Sequence, residues 1–166
     1  YTVENKDDKD IYFSIGAHPA FMCPIDKNDS LNDCYIEFNK SENSTKINLT
    51  AEGYLSHDRE KCLEETSKLD LFKELFKDDA LVFDDLNSNK MTIKSKNNNK
   101  SLEVDFSGIP SMAVWSPKDG APFVCIEPWF GHADYYDFNK EFSEKEGINS
   151  LEIGEKFNFT YKATAR

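Results

Sequence analysis

Phe123-Val124-Cys125-Ile126-Glu127-Pro128-Trp129 opens as an apolar run of strand-forming residues and closes on a carboxylate, a proline and an indole. Apolar character without alternation over so short a run reads as a strand buried on both faces, which sets Glu127 at the end of a central strand. A charge in that position is costly unless it is paired or used. Desolvation also raises a carboxylate's pKa toward the range a general base needs near neutrality. Pro128 has no N–H to give a ladder, so strand pairing is expected to stop there. Trp129 and Phe130 follow with flat apolar faces on which a ligand's carbon-bound hydrogens can stack.

Outward from this run the chain keeps a strand texture. Tyr1 to Asn5 alternates, Lys6 to Asp10 is a charged turn, and Ile11 to Ile15 follows, a pattern that predicts a β-hairpin. Short strands are expected at Tyr35 to Phe38, Lys46 to Leu49, Ala80 to Phe83, Lys90 to Ser95, Ser101 to Phe106, Met112 to Ser116 and Lys156 to Tyr161. The Asn-rich stretch Lys96 to Lys100 reads as a solvated hairpin tip. One segment differs: Leu69, Phe72 and Phe76 recur at three and four residues with Ser67 as a cap, which predicts one short amphipathic helix over Ser67 to Phe76. Many short strands and a single helix argue for an all-β fold, an antiparallel β-sandwich or barrel. A chain of 166 residues is enough for one core, so residues 1–166 are expected to form a single domain.

Charge and composition narrow the partners. Aromatic residues make up 13% of the chain and apolar residues 39%, too rich a mixture for disorder. A net charge of -11 repels phosphate backbones and anionic membrane surfaces, so neither nucleic acid nor membrane is expected as a partner. Arg59 and Arg166 are the only guanidinium groups, which weighs against a phosphorylated ligand gripped bidentately. Cys23, Cys34, Cys62 and Cys125 form no C-x-x-C pair and read as reduced structural thiols. No run approaches the roughly 18 apolar residues of a membrane span and no signal pattern opens the chain, so a cytoplasmic location is expected.

Four further positions could carry chemistry. His18 lies between Gly16-Ala17 and Pro19 at the end of an apolar strand, where an imidazole could face a cleft or could simply bond to backbone. Asp78 and Asp79 precede the Ala80 strand, as ligand-binding carboxylates or as part of a turn. His132 follows a glycine in a loop close to Glu127. A carboxylate beside aromatic faces has the texture of a carbohydrate site. His18, His57 and His132 and the scattered cysteines make no zinc or iron spacing, so no metal is expected, and no glycine-rich phosphate cradle is present.

Phe13 to Phe21, with Gly16-Ala17-His18-Pro19-Ala20-Phe21 at its heart, is followed in order by Ala80 to Phe83, Val114 to Ser116, Phe123 to Gly131, Lys145 to Ile148 and Leu151 to Glu155. In order and spacing these segments resemble the aldose 1-epimerase (galactose mutarotase) family in its LacX-like branch, over almost the whole chain. The resemblance implies a β-sandwich of the galactose mutarotase type whose concave face binds a free hexose, with no cofactor. It implies that His18 is the general acid, Glu127 the general base, and Asp79 the carboxylate on sugar hydroxyls, with Asp78 in its place if the register slips by one. Trp129 and Phe130 are the stacking faces. The family carries a longer N-terminal portion, with further strands, a second histidine and an arginine at the sugar, so this chain is expected to match the C-terminal part. A missing N-terminal segment or a second copy of the chain is expected to cover open strand edges. Two alternatives stand beside the epimerase reading: a carbohydrate-binding domain without turnover, and a hexose-6-phosphate 1-epimerase.

Overall fold

Residues 1–166 are described by a computed structural model, and their regular secondary structure is almost entirely strand. The first four are short: β1 (Thr2–Glu4), β2 (Ile11–Phe13), β3 (Ile15–Gly16) and β4 (Ala20–Met22). Longer ones follow: β5 (Cys34–Glu42), β6 (Thr45–Leu49), β7 (Leu55–Lys61) and β8 (Thr66–Asp70). The middle of the chain supplies β9 (Leu81–Phe83), β10 (Lys90–Ser95), β11 (Ser101–Asp105), β12 (Ser111–Trp115) and β13 (Phe123–Phe130). The last three are β14 (Asn149–Leu151), β15 (Lys156–Asn158) and β16 (Lys162–Ala165). No helix is long and apolar enough to cross a membrane.

Two sheets make the body. A five-stranded sheet runs β16-β11-β10-β5-β8, and a seven-stranded one runs β3-β13-β12-β9-β6-β7 with β4 also on β13. Every strand pair in them is antiparallel. Ile36, Phe38, Met91, Ile93 and Val104 from the first meet Leu81, Phe83, Met112, Val114, Val124 and Ile126 from the second in one buried cluster. Each such side chain stabilises the fold by about 1.5–3 kcal/mol through removal from water. This is the sandwich that the strand pattern predicts, and the Asn-rich stretch is the turn between β10 and β11.

Three local expectations are corrected. Leu69 and Leu71 are buried while Lys68, Asp70 and Phe72 are exposed, so this stretch has a period of two. It forms β8, with Leu69 opposite Ile36, and Ser67 lies inside the strand. Only Lys73–Phe76 coils, as a 3-10 turn that plants Phe76 in the core, and the amphipathic helix is absent. The spacing of Leu69, Phe72 and Phe76 imitated a helix face because a strand and a turn abut, and Phe72, counted on that face, is 41% exposed. Nor do β1 and β2 form a hairpin: β1 pairs with β15 and β2 with β14. Pro128 does not end its strand either, since β13 continues through it to Phe130.

Candidate active site

Alternation along β13 assigns its side chains to two faces of the seven-stranded sheet. Val124 and Ile126 enter the main core. Cys125, Glu127 and Trp129 turn to the other face, where Ile47, Val82 and Ala113 form a second small apolar cluster against which Trp129 packs.

The strand next to β13 is interrupted, and the interruption makes the site. Gly16 of β3 lies opposite Trp129 and Ala20 of β4 opposite Cys125, in one register on both sides of the break. Carried across the break, that register puts His18 opposite Glu127. The N–H groups of Ala17 and Cys23 donate to the carbonyls of Pro128 and Pro122. Odd positions of this segment are therefore the hydrogen-bonded ones, and His18 occupies the close, non-bonded kind, with opposing Cα atoms typically about 4.5 Å apart. Pro128 on one side and Pro19 on the other each lack the N–H that the two flanking pairs would use. The ladder opens at Ala17 to Pro19 while the chain stays alongside β13.

His18 Nδ1 lies 3.3 Å from Glu127 Oε1. The two differ sharply in exposure, with the His18 side chain 60% exposed and that of Glu127 only 5%. Burial pushes the Glu127 carboxyl up to about 7; the Trp129 indole opposes the shift and the negative charge of Asp79 adds to it. The His18 ring meets Trp115 edge-on, with centroids 5.6 Å apart. Trp115 faces the site for the same reason as Glu127, since its β12 neighbours Met112 and Val114 point into the core.

Two open depressions adjoin these residues. One, of about 470 Å³, is lined by Gly16, His18, Glu127, Trp129 and His132 among others. The other, of about 820 Å³, is lined by Asp78, Asp79, Trp115, Lys46 and Asn48 among others. Trp115 of the second meets His18 of the first edge-on, and the charge of Asp79 is felt at Glu127. Asp79 follows the 3-10 turn with a left-handed φ of 79° and donates its N–H to the Phe76 carbonyl at 3.2 Å. Asp78 pairs with Lys77 at 3.7 Å on the surface.

Of the residues singled out from sequence, His18, Glu127, Asp79 and Trp129 are brought to this face. Phe130 is not: it packs against Phe157 and Phe159, with centroids 4.9 and 5.3 Å away, on the core side of the sheet. Because the strand runs on past Pro128, successive residues still alternate, so Trp129 and Phe130 cannot share a face. Trp129 lies flat because residue 16 is glycine, since a Cβ there would come 2.6 Å from its Cδ1. His132 reaches the rim, its Nδ1 2.8 Å from the Ala133 carbonyl. Trp115 and Cys125 were missed, although the alternation that places Glu127 places them too. The donor atoms of His18, Cys125 and Glu127 all lie within 4.8 Å of one another, so these three side chains could hold a metal ion.

Comparison with known proteins agrees with this fold. The family described as aldose 1-epimerase matches residues 1–147. The chain is 37% identical over 126 residues to the chromosomal protein LacX of Lactococcus lactis subsp. lactis, a match covering 75% of this chain and 42% of that protein. Its fold is similar to a galactose mutarotase related enzyme from Lactobacillus acidophilus, with a TM-score of 0.90 and 32% identity over 99% of this chain and 55% of that one. A galactose mutarotase-like protein from Lactobacillus casei gives 0.89 and 25%, over 100% and 57%. The chain thus spans about half the length of the relatives it matches.

Proposed function

The chain belongs to the aldose 1-epimerase family, and from that membership we propose that His18 and Glu127 interconvert the α and β anomers of a free hexose by acid and base catalysis. The observation that carries this reading is the opposition of a buried carboxylate and an exposed imidazole across one break in a sheet. Glu127, poised by desolvation, removes the proton from the anomeric hydroxyl. His18, in the role of general acid, presents Nε2–H to the ring oxygen. The bond between C1 and the ring oxygen breaks, the ring oxygen leaves as a hydroxyl, and C1 becomes an aldehyde. Rotation about C1–C2 turns the other face of the carbonyl to the hydroxyl. Reclosure returns one proton to the anomeric oxygen from Glu127 and one to His18, so nothing is consumed.

Trp129 supplies a stacking face for the sugar and Asp79 a carboxylate for its hydroxyls. A free hexose is favoured over a phosphorylated one, because two of the three lysines lining the larger depression, Lys46 and Lys77, already have acidic partners. Lys46 lies 2.9 Å from Glu60, and Lys77 is next to Asp78.

Polarimetry on freshly dissolved α-glucose or α-galactose tests the reading. The wild-type chain is expected to accelerate the approach to rotational equilibrium, and Glu127→Gln to lose about 10²–10⁴-fold in rate. An unchanged rate in that variant overturns the assignment. Calorimetric binding of sugar without acceleration in the wild type would identify a binding domain instead, and a strong preference for glucose 6-phosphate would identify a phosphosugar epimerase.

A further inference from the structure

The acid and base pair has a third neighbour that the proposed reaction does not use. Cys125 precedes Glu127 by two residues on β13, so both side chains project from the same face, and His18 approaches them from the broken strand. One imidazole nitrogen, one sulfur and one carboxylate oxygen converge, with no pair further apart than 4.8 Å.

We propose that His18, Cys125 and Glu127 form a binding site for a thiophilic divalent cation such as Zn²⁺, and that the bound ion switches off the acid and base pair. A tetrahedral zinc ion holds nitrogen and oxygen at about 2.0–2.2 Å and sulfur at about 2.3 Å, which sets ligand atoms about 3.3–3.8 Å apart. The separation of 3.3 Å between His18 Nδ1 and Glu127 Oε1 is already that of two ligands on one ion. Bringing sulfur to the same spacing takes a shift of about 1.5 Å at most, which rotation of the exposed His18 side chain and of the Cys125 and Glu127 side chains can absorb. Glu127 is more than nine-tenths buried and directed at the site, so a cation there relieves an existing desolvation cost. The open cleft leaves a fourth position for water or a sugar hydroxyl.

The donor set selects the ion. A thiolate with an imidazole suits zinc and its soft congeners, whereas magnesium and calcium prefer all-oxygen ligands. Coordination replaces the thiol proton of Cys125, takes the Nδ1 lone pair of His18 and neutralises Glu127. The pair then has neither a base nor a transferable proton, so inhibition follows. That consequence rests on the epimerase reading, whereas the binding does not.

Cobalt(II) titration of the full 166-residue chain separates the two. Binding is expected to produce a sulfur-to-cobalt charge-transfer band in the near ultraviolet that Zn²⁺ abolishes and Mg²⁺ does not. Cys125→Ser should lose the band and weaken zinc binding by more than the roughly 10–100-fold that losing an outer partner costs a metal site. In polarimetry the same variant should keep its metal-free rate and resist zinc. The proposal is overturned if no band forms, or if it persists in Cys125→Ser, which would assign it to Cys23, Cys34 or Cys62. Zinc inhibition that Cys125→Ser leaves intact overturns the switch. A chain that binds cobalt through Cys125 yet fails to anomerise any sugar would keep the site and refute only the catalytic reading.

Discussion

At the scale of single residues the site depends on what is small and what lacks a donor. Gly16 lets the Trp129 ring lie across the sheet, where a Cβ would come 2.6 Å from the ring. Gly16→Ala is therefore expected to push Trp129 out of place, at a stability cost of about 1–3 kcal/mol for overpacking. Its signature is a shift in tryptophan fluorescence together with weakened sugar binding in calorimetry, and an unshifted spectrum with normal affinity would refute the role given to Gly16. Gly131 is constrained twice, by a φ of +100° and by the side chain of Ser14, which a Cβ would strike. It carries the chain from β13 to His132 on the rim of the cleft. Pro19 and Pro128 act by omission, since the donors they lack free His18 from the ladder.

At the scale of elements, loops are pinned to strand ends by charge. Glu42 closes β5 fully buried, and its carboxylate accepts the N–H groups of Ser88 at 2.6 Å and Asn87 at 2.9 Å. Removing it orphans both donors, each bonded to a charged group and worth about 1.5–3 kcal/mol. Glu42→Ala is expected to destabilise by about 3 kcal/mol or more in urea unfolding, and Glu42→Gln by less because an amide oxygen still accepts. Equal losses would show that packing, not hydrogen bonding, is at stake.

Arg59 of β7 clasps Asp84, just beyond β9, with two bonds of 2.7 Å. The Arg59 hydrogen bonds hold the Asp84 carboxyl below its usual range against a smaller opposing effect of burial. A depressed carboxylate contributes stability above its unfolded pKa of about 3.9 and loses it as pH falls through the folded value. Partial exposure limits the contribution to about 1 kcal/mol. The melting temperature of Asp84→Asn should accordingly lie below wild type at pH 7 and converge with it in acid, and a gap that persists at low pH would refute the ion-pair account.

At the scale of the molecule, a net charge of -11 loads the surface with self-repulsion. Added sodium chloride should raise the melting temperature as screening sets in, with the Debye length falling to about 10 Å at 0.1 M. A flat or falling response would mean that local pairs such as Arg59–Asp84 outweigh the global repulsion. The larger depression, on the side of Lys46, Asn48 and Asp119, is open to solvent, and relatives of about twice the length share the fold. We propose that sugar affinity depends on how far that side is closed. Joining to this chain the remaining portion of the Lactobacillus acidophilus protein should lower KM for galactose more than it raises kcat, and an unchanged KM would refute this.

From the sequence alone follow a chain built of antiparallel strands, a carboxylate at Glu127 set in an apolar strand, and a histidine at residue 18 beside a strand end. These features are local: side chains alternate with a period of two, prolines break ladders, and a charge inside an apolar run is visible without knowing its neighbours. The tertiary structure alone decided which strands are neighbours and in what register. It paired β1 with β15 in place of the adjacent β2, drew Leu69 into a strand beside Ile36, and turned Phe130 into the core while Trp129 faced the cleft. It also put His18 across from Glu127 and brought Cys125 to both, although residues 18 and 125 are far apart in the chain. Register between distant segments is set by how whole faces pack and by which ladders close, and that free energy belongs to the assembled sheets, not to any stretch of sequence.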